Sequence, residues 1–132
     1  MLKKIDHIGI AVKDIEETAK FYRDMLGLEF QGIEEVADQK VKVAFFQIGE
    51  THIELVCPTS EESAVARHLE KKGEGFHHIC YATDDIVADL KSLKDQGARL
   101  VDEKPRTGAH GALIAFIHPK TSNGVLTELS QK

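Results

Sequence analysis

Two cysteines, Cys57 and Cys80, in 132 residues are too few and too unpatterned for a disulfide scaffold or a zinc ribbon. Each lies in an apolar, strand-like run, where a buried reduced thiol is the ordinary reading. The chain also lacks a run of about 18 apolar residues and a leading apolar stretch with a cleavage site, so neither membrane insertion nor secretion is expected and the cytoplasm is the default compartment. A cationic surplus is missing too: 17 Lys and Arg against 22 Asp and Glu give a net charge of −5. That balance argues against a general nucleic-acid surface, because affinity for phosphate backbones comes mainly from clustered bases. No Ser- or Gly-rich stretch separates the chain into tethered pieces.

What the chain does contain is a repeat. Asp6-His7-Ile8-Gly9-Ile10-Ala11-Val12 returns 71 positions later as His77-His78-Ile79-Cys80-Tyr81-Ala82-Thr83. Val43-Ala44-Phe45-Phe46-Gln47 and Ile114-Ala115-Phe116-Ile117-His118 keep the same offset. Each half closes on an extended run holding one carboxylate, His52-Ile53-Glu54-Leu55-Val56 and Val125-Leu126-Thr127-Glu128-Leu129, now 74 positions apart. A half of this size is marginal on its own, so the halves are expected to share a sheet or an interface.

Periodicity sets the order of elements within the module. The first strand alternates, with Ile8, Ile10 and Val12 on a core face and His7, Gly9 and Ala11 on a small, polar face that would leave open space around the histidine. Asp14 with Glu17 suits a helix start, Ile15, Ala19, Tyr22 and Leu26 follow at helical spacing, and Gly27 stops the helix. Strands follow at about 29–35, 40–48 and 51–57, with Gly49-Glu50 as a hairpin turn. Thr59 and Glu62 make a capping box for a connecting helix at about 60–72. The second module repeats the order: strand 77–83, helix 85–96, then strands near 98–103, 112–118 and 124–130. The fold class is α+β: two tandem βαβββ modules, at about 4–58 and 75–130, forming a cupped mixed sheet in a single domain over 1–132.

His7, Glu54, His78 and Glu128 each fall where strand period calls for a small or apolar inward residue. Buried carboxylates are costly unless paired, and a divalent cation answers all four side chains at once. Imidazole nitrogen and carboxylate oxygen without thiolate suit a borderline ion, Co, Zn, Ni or Mn. An octahedral ion would keep two open positions for a bidentate oxygen ligand and act as a Lewis acid on a carbonyl. His52 shares the face of Glu54 and could replace His7 as a ligand. His77 points to the opposite face, His118 reads as a surface histidine, and His68 reads as helical and exposed. Lys104 and Arg106 lead into the loop Thr107-Gly108-Ala109-His110-Gly111, which could sit beside an anionic substrate.

With these motifs, the chain resembles the vicinal oxygen chelate (glyoxalase/bleomycin resistance/dioxygenase) superfamily, and within it the methylmalonyl-CoA epimerases. The stretches that carry the resemblance, beyond the strand histidines and glutamates, are Gly75-Phe76-His77-His78, Thr107-Gly108-Ala109-His110-Gly111, His118-Pro119-Lys120 and Gly124-Val125-Leu126-Thr127-Glu128-Leu129. The resemblance implies His7, Glu54, His78 and Glu128 as metal ligands, an acyl-CoA substrate and a homodimer. It also implies inversion at the carbon between a thioester and a carboxylate. Lys104, Arg106, Thr107, Gly108 and His110, from their place in the loop, are the expected contacts for the acyl or pantetheine groups. Such inversion needs acid/base groups on two faces. Glu128 suits one. Some relatives carry a catalytic Glu on the third strand, where this chain reads Val41-Lys42-Val43-Ala44, so Glu54 is the expected second group. Glyoxalase I (lactoylglutathione lyase) shares a comparable ligand set and is the rival activity. A non-catalytic small-molecule binding protein on the same fold is a further rival, although such proteins commonly lack the metal set.

Overall fold

The computed structural model describes residues 2–132. The chain forms two compact units: His7–His77, and the residues up to Asp6 together with His78–Lys132. In the first, strand β1 (Leu2–Ala11, here from His7) leads into helix α1 (Ile15–Ala19), strands β2 (Glu29–Val36), β3 (Val41–Ile48) and β4 (Thr51–Pro58), and helix α2 (Ala64–Lys72). Strand order is β2-β3-β4-β1, antiparallel except for the parallel β4–β1 pair. Val12, Ile15, Ala19, Ala44, Phe46 and Leu55 pack as the core between sheet and helix. By strand alternation, Phe45 and Glu54 then belong to the opposite face. That face is no open space at His7, which is only 6% exposed.

Asp14 caps α1 as expected, its carboxylate accepting the Glu17 N–H at 3.1 Å. The expected continuous helix to Gly27 breaks into two kinds of turn. α1 ends at Ala19 and runs on as a π segment, Lys20–Met25, closed by the Leu26 N–H donating to the Phe21 carbonyl five residues back at 2.9 Å. One extra residue per turn shifts the apolar stripe. Tyr22 still packs on the core, while Phe21, Met25 and Leu26 are exposed. The connecting helix also starts later than its sequence suggests. Ser63, buried, is the cap and its hydroxyl accepts the Val65 N–H at 3.1 Å. Glu62 does not fold back to cap, because its carboxylate pairs with Lys40 Nζ at 2.7 Å.

The second unit runs through β5 (Gly75–Thr83, here from His78), α3 (Ile86–Asp95), β6 (Arg106–Thr107), β7 (Leu113–Ile117) and β8 (Thr127–Gln131). Its order, β5-β8-β7-β6, with β8 parallel to β5, repeats the topology of the first unit. Asp85 caps α3 through the Ala88 N–H at 3.1 Å, as Asp14 does 71 positions earlier. Ile86, Leu90, Ala115, Ile117 and Leu129 form the core. The strand expected at 98–103 is reduced to a single bridge between Leu100 and Ile117. The Phe116 carbonyl accepts from both Val101 and Asp102 N–H, and the Asp102 carboxylate takes the Phe116 N–H at 2.9 Å. A side chain thus occupies the ladder position where a backbone carbonyl would continue the strand.

The first residues of β1 are tied into this unit by Lys3–Asp84 and Asp6–Lys132 ion pairs at 3.5 and 3.6 Å. His118 is structural: its Nδ1 accepts the Lys120 N–H at 3.0 Å, and its carbonyl accepts the Thr121 N–H, closing the turn after β7. Both cysteines are free thiols, Cys80 fully buried and Cys57 partly so. Burial pushes the Cys57 thiol up, the Sγ donating to the Lys13 carbonyl at 3.5 Å. His68, expected exposed, is half-buried edge-on against His77 at 4.7 Å between ring centroids, and that burial, with Lys72 nearby, lowers its pKa. Among the described residues, no helix is long and apolar enough to cross a membrane.

Candidate metal centre

Each unit builds the same polar feature from the same sheet positions. In the first, Glu54 on β4 has Gly9 of β1 as its partner on one side and Phe45 of β3 on the other. Gly9 has no side chain, so the Glu54 carboxylate leans along β1 to His7, whose Cα partner is His52. Glu54 Oε2 lies 3.0 Å from His7 Nδ1. In the second, Glu128 on β8 lies between Cys80 of β5 and Phe116 of β7. Cys80 is again small, and Glu128 Oε1 reaches His78 Nε2 at 3.0 Å. Gly9 and Cys80, like Phe45 and Phe116, are equivalent positions of the repeat.

Both carboxylates are almost shut off from water, Glu54 at 9% and Glu128 at 5% exposed, with His78 at 5%. A carboxylate so placed is tolerated only with a strong partner. The 3.0 Å separations suit a hydrogen bond to a histidine. They equally suit two cis ligands of an octahedral ion, since donors about 2.1 Å from the metal at right angles stand about 3.0 Å apart. Within each unit the pair offers one imidazole nitrogen and one carboxylate oxygen, without thiolate, donor types that suit a borderline divalent cation. His52 is on the same face, partnered with His7 and Gln47, and is only partly buried.

The expected substrate residues all lie in the second unit and fare differently. Lys104 and Thr107 are exposed, Gly108 is buried, and His110 sits exposed in a short turn with φ of 57°. Arg106 alone joins the buried feature. Its guanidinium lies over the Phe116 ring, 5.7 Å from the centroid, and that ring meets His78 edge-on at 5.6 Å and 77°. Sequence reasoning missed Phe116 and Asp102. The shared offset of Phe45 and Phe116 was the available signal for the first, whereas Asp102 gave none, because its contacts depend on the broken strand.

Comparison with known proteins gives a consistent picture. A family model described as Glyoxalase/Bleomycin resistance protein/Dioxygenase superfamily matches residues 6–116. The ethylmalonyl-CoA/methylmalonyl-CoA epimerase of Cereibacter sphaeroides is 43% identical over 99% of this chain and 99% of its own. The mitochondrial methylmalonyl-CoA epimerase of Homo sapiens is 39% identical over 98% of this chain and 74% of its own. A solved methylmalonyl-CoA epimerase in complex with methylmalonyl-CoA and ammonium superposes with a TM-score of 0.96 at 42% identity, covering 100% of this chain and 96% of that one.

Proposed function

We propose that this chain, which belongs to the Glyoxalase/Bleomycin resistance protein/Dioxygenase superfamily, is a metal-dependent epimerase that interconverts the two epimers of methylmalonyl-CoA. The observation that carries the reading is the pair of buried His–Glu contacts at equivalent positions of the two modules. His7, Glu54, His78 and Glu128 would together hold one divalent ion, Co, Zn, Ni or Mn. Bound there, the ion supplies Lewis acidity toward a 1,3-dicarbonyl, lowering the cost of the negative charge that develops as the α-proton leaves.

The chain's own residues handle the proton. Glu128 removes it on one face of the α-carbon, and Glu54 serves the opposite face, so each epimer finds a base on one side and a donor on the other. Burial serves this chemistry, since it keeps water from competing as the proton donor. Phe45 and Phe116 are the cross-strand partners of the two glutamates, on the side away from the histidine-bearing strand. The reading includes a cytoplasmic homodimer, checked by light scattering and cell fractionation.

The test is exchange of the α-proton of methylmalonyl-CoA with solvent deuterium, run on metal-stripped and reconstituted protein. Glu128→Gln should retain much of the metal and lose epimerisation. Glu54→Gln should slow exchange from one epimer more than from the other, and symmetric wild-type exchange would remove Glu54 from the mechanism. Turnover of methylglyoxal with glutathione, and none of methylmalonyl-CoA, would replace the reading with a glyoxalase.

A further inference from the structure

We infer that Arg106 is the specificity residue of this site, selecting acyl-CoA thioesters that carry a free carboxylate. The inference rests on the proposed reaction. It starts from register: β6 is only two residues long, yet it pairs Arg106 with Ile114, and Ile114 lies two positions from Phe116, on the same side of β7. Phe116 is in turn the cross-strand partner of Glu128. Arg106 therefore belongs to the sheet face that bears the buried His78–Glu128 pair.

The contacts agree with the register. The guanidinium lies over Phe116 and Phe116 against His78, so the two separations together bound the distance from guanidinium to imidazole at about 11 Å. Asp102 fixes the other edge. Its Oδ2 accepts the Phe116 N–H at 2.9 Å, while Oδ1 stands 3.3 Å from Arg106 Nε, an ion pair without hydrogen-bond geometry. The Arg106 side chain is nonetheless 38% exposed, and no other described residue pairs with its guanidinium. A stacked, half-fixed guanidinium with terminal donors to spare is a receptor for a planar, bidentate anion.

Two anions of the substrate could meet it, the free carboxylate and the CoA phosphates. The carboxylate is favoured because it is one of the two groups that the metal would chelate, and so lies beside His78. The phosphates stand at the far end of the pantetheine arm. The chain's net charge of −5 provides no broad cationic field, and Asp102 offsets the local charge, so selection must come from direct hydrogen bonds.

The experiment is titration of the metal-loaded protein with malonyl-CoA and acetyl-CoA, which differ by the carboxylate alone. Arg106→Gln should weaken malonyl-CoA about 10- to 100-fold, the range for a hydrogen bond to a charged group, and leave acetyl-CoA within about twofold. Arg106→Lys should recover part of the loss, since it keeps the charge without the planar fork, and it carries the test if the Gln variant misfolds. Equal weakening of both ligands would assign Arg106 to the CoA arm and overturn the inference, as would unchanged discrimination in both variants. Wild-type protein that epimerises methylmalonyl-CoA while Arg106→Gln keeps full discrimination sinks this inference alone. Wild-type protein that neither epimerises nor prefers malonyl-CoA sinks the proposed reaction with it.

Discussion

Gly108→Ala separates steric from conformational control of the loop after β6. Gly108 has φ of −110° and ψ of −158°, an extended backbone that any residue adopts. In open space the substitution would stabilise the protein by about 0.4–1 kcal/mol, through a less flexible unfolded chain. Space is what is missing. A Cβ built there would lie 2.9 Å from Ile114 Cγ2, 3.1 Å from Cγ1 and 3.3 Å from Cδ1. Ile114 is 3% exposed and packed with Ala112 and Phe116, so it cannot rotate away freely. Overpacking of this kind costs about 1–3 kcal/mol. For a chain of this length that corresponds to a fall in Tm of about 4–10 °C. The assay is a double-mutant cycle with Ile114→Ala, read by calorimetry or urea denaturation. Ile114→Ala alone should destabilise by about 2–5 kcal/mol. In that background Gly108→Ala should become neutral or stabilising, because the new methyl enters the space left by the old side chain. If Gly108→Ala costs the same in both backgrounds, within about 0.5 kcal/mol, the steric reasoning is wrong.

Ser63→Ala should cost about 1 kcal/mol, or about 4 °C in Tm, by removing the hydroxyl that accepts the Val65 N–H, whereas Thr59→Ala should cost much less. Partial desolvation, then Arg99 and Lys120, holds the His118 imidazole below its ordinary range, where neutral Nδ1 accepts the Lys120 N–H. Its contribution to stability should be full above the unfolded pKa of about 6.5 and disappear as pH falls through the folded value. Titrating the His118 ring resonance by NMR checks the direction, and a midpoint above that of an unstructured histidine would contradict it.

Much of the fold was legible because duplication writes the same constraint twice. Asp14 and Asp85 cap equivalent helices, and a small residue and a phenylalanine flank each buried glutamate at matching register positions. The four candidate ligands stood out for the same reason, as polar residues recurring where the pattern demands small ones. What remained illegible lacks that redundancy. The π segment differs from an α-helix by one residue per turn, and the hydrophobic spacing of Ile15, Ala19 and Tyr22 fits both. Thr59 and Glu62 have the form of a capping box, but a lysine 22 positions upstream claims the glutamate. The Arg106–Phe116–His78 stack follows from how β6 meets β7, which no local pattern encodes.

The division at Asp6 and His7 has a practical consequence for anyone who cuts or fuses this protein. The leading strand serves two masters: its opening residues are grouped with the C-terminal unit, and the remainder pairs with β4. Cleaving the chain in the connecting segment before β5 would not yield two self-sufficient halves. Each fragment would carry, or lack, a piece of the other. Removing residues 2–6 should therefore unsettle the far end of the sequence, where Asp84 and Lys132 lose their ion pairs with Lys3 and Asp6, rather than the near one.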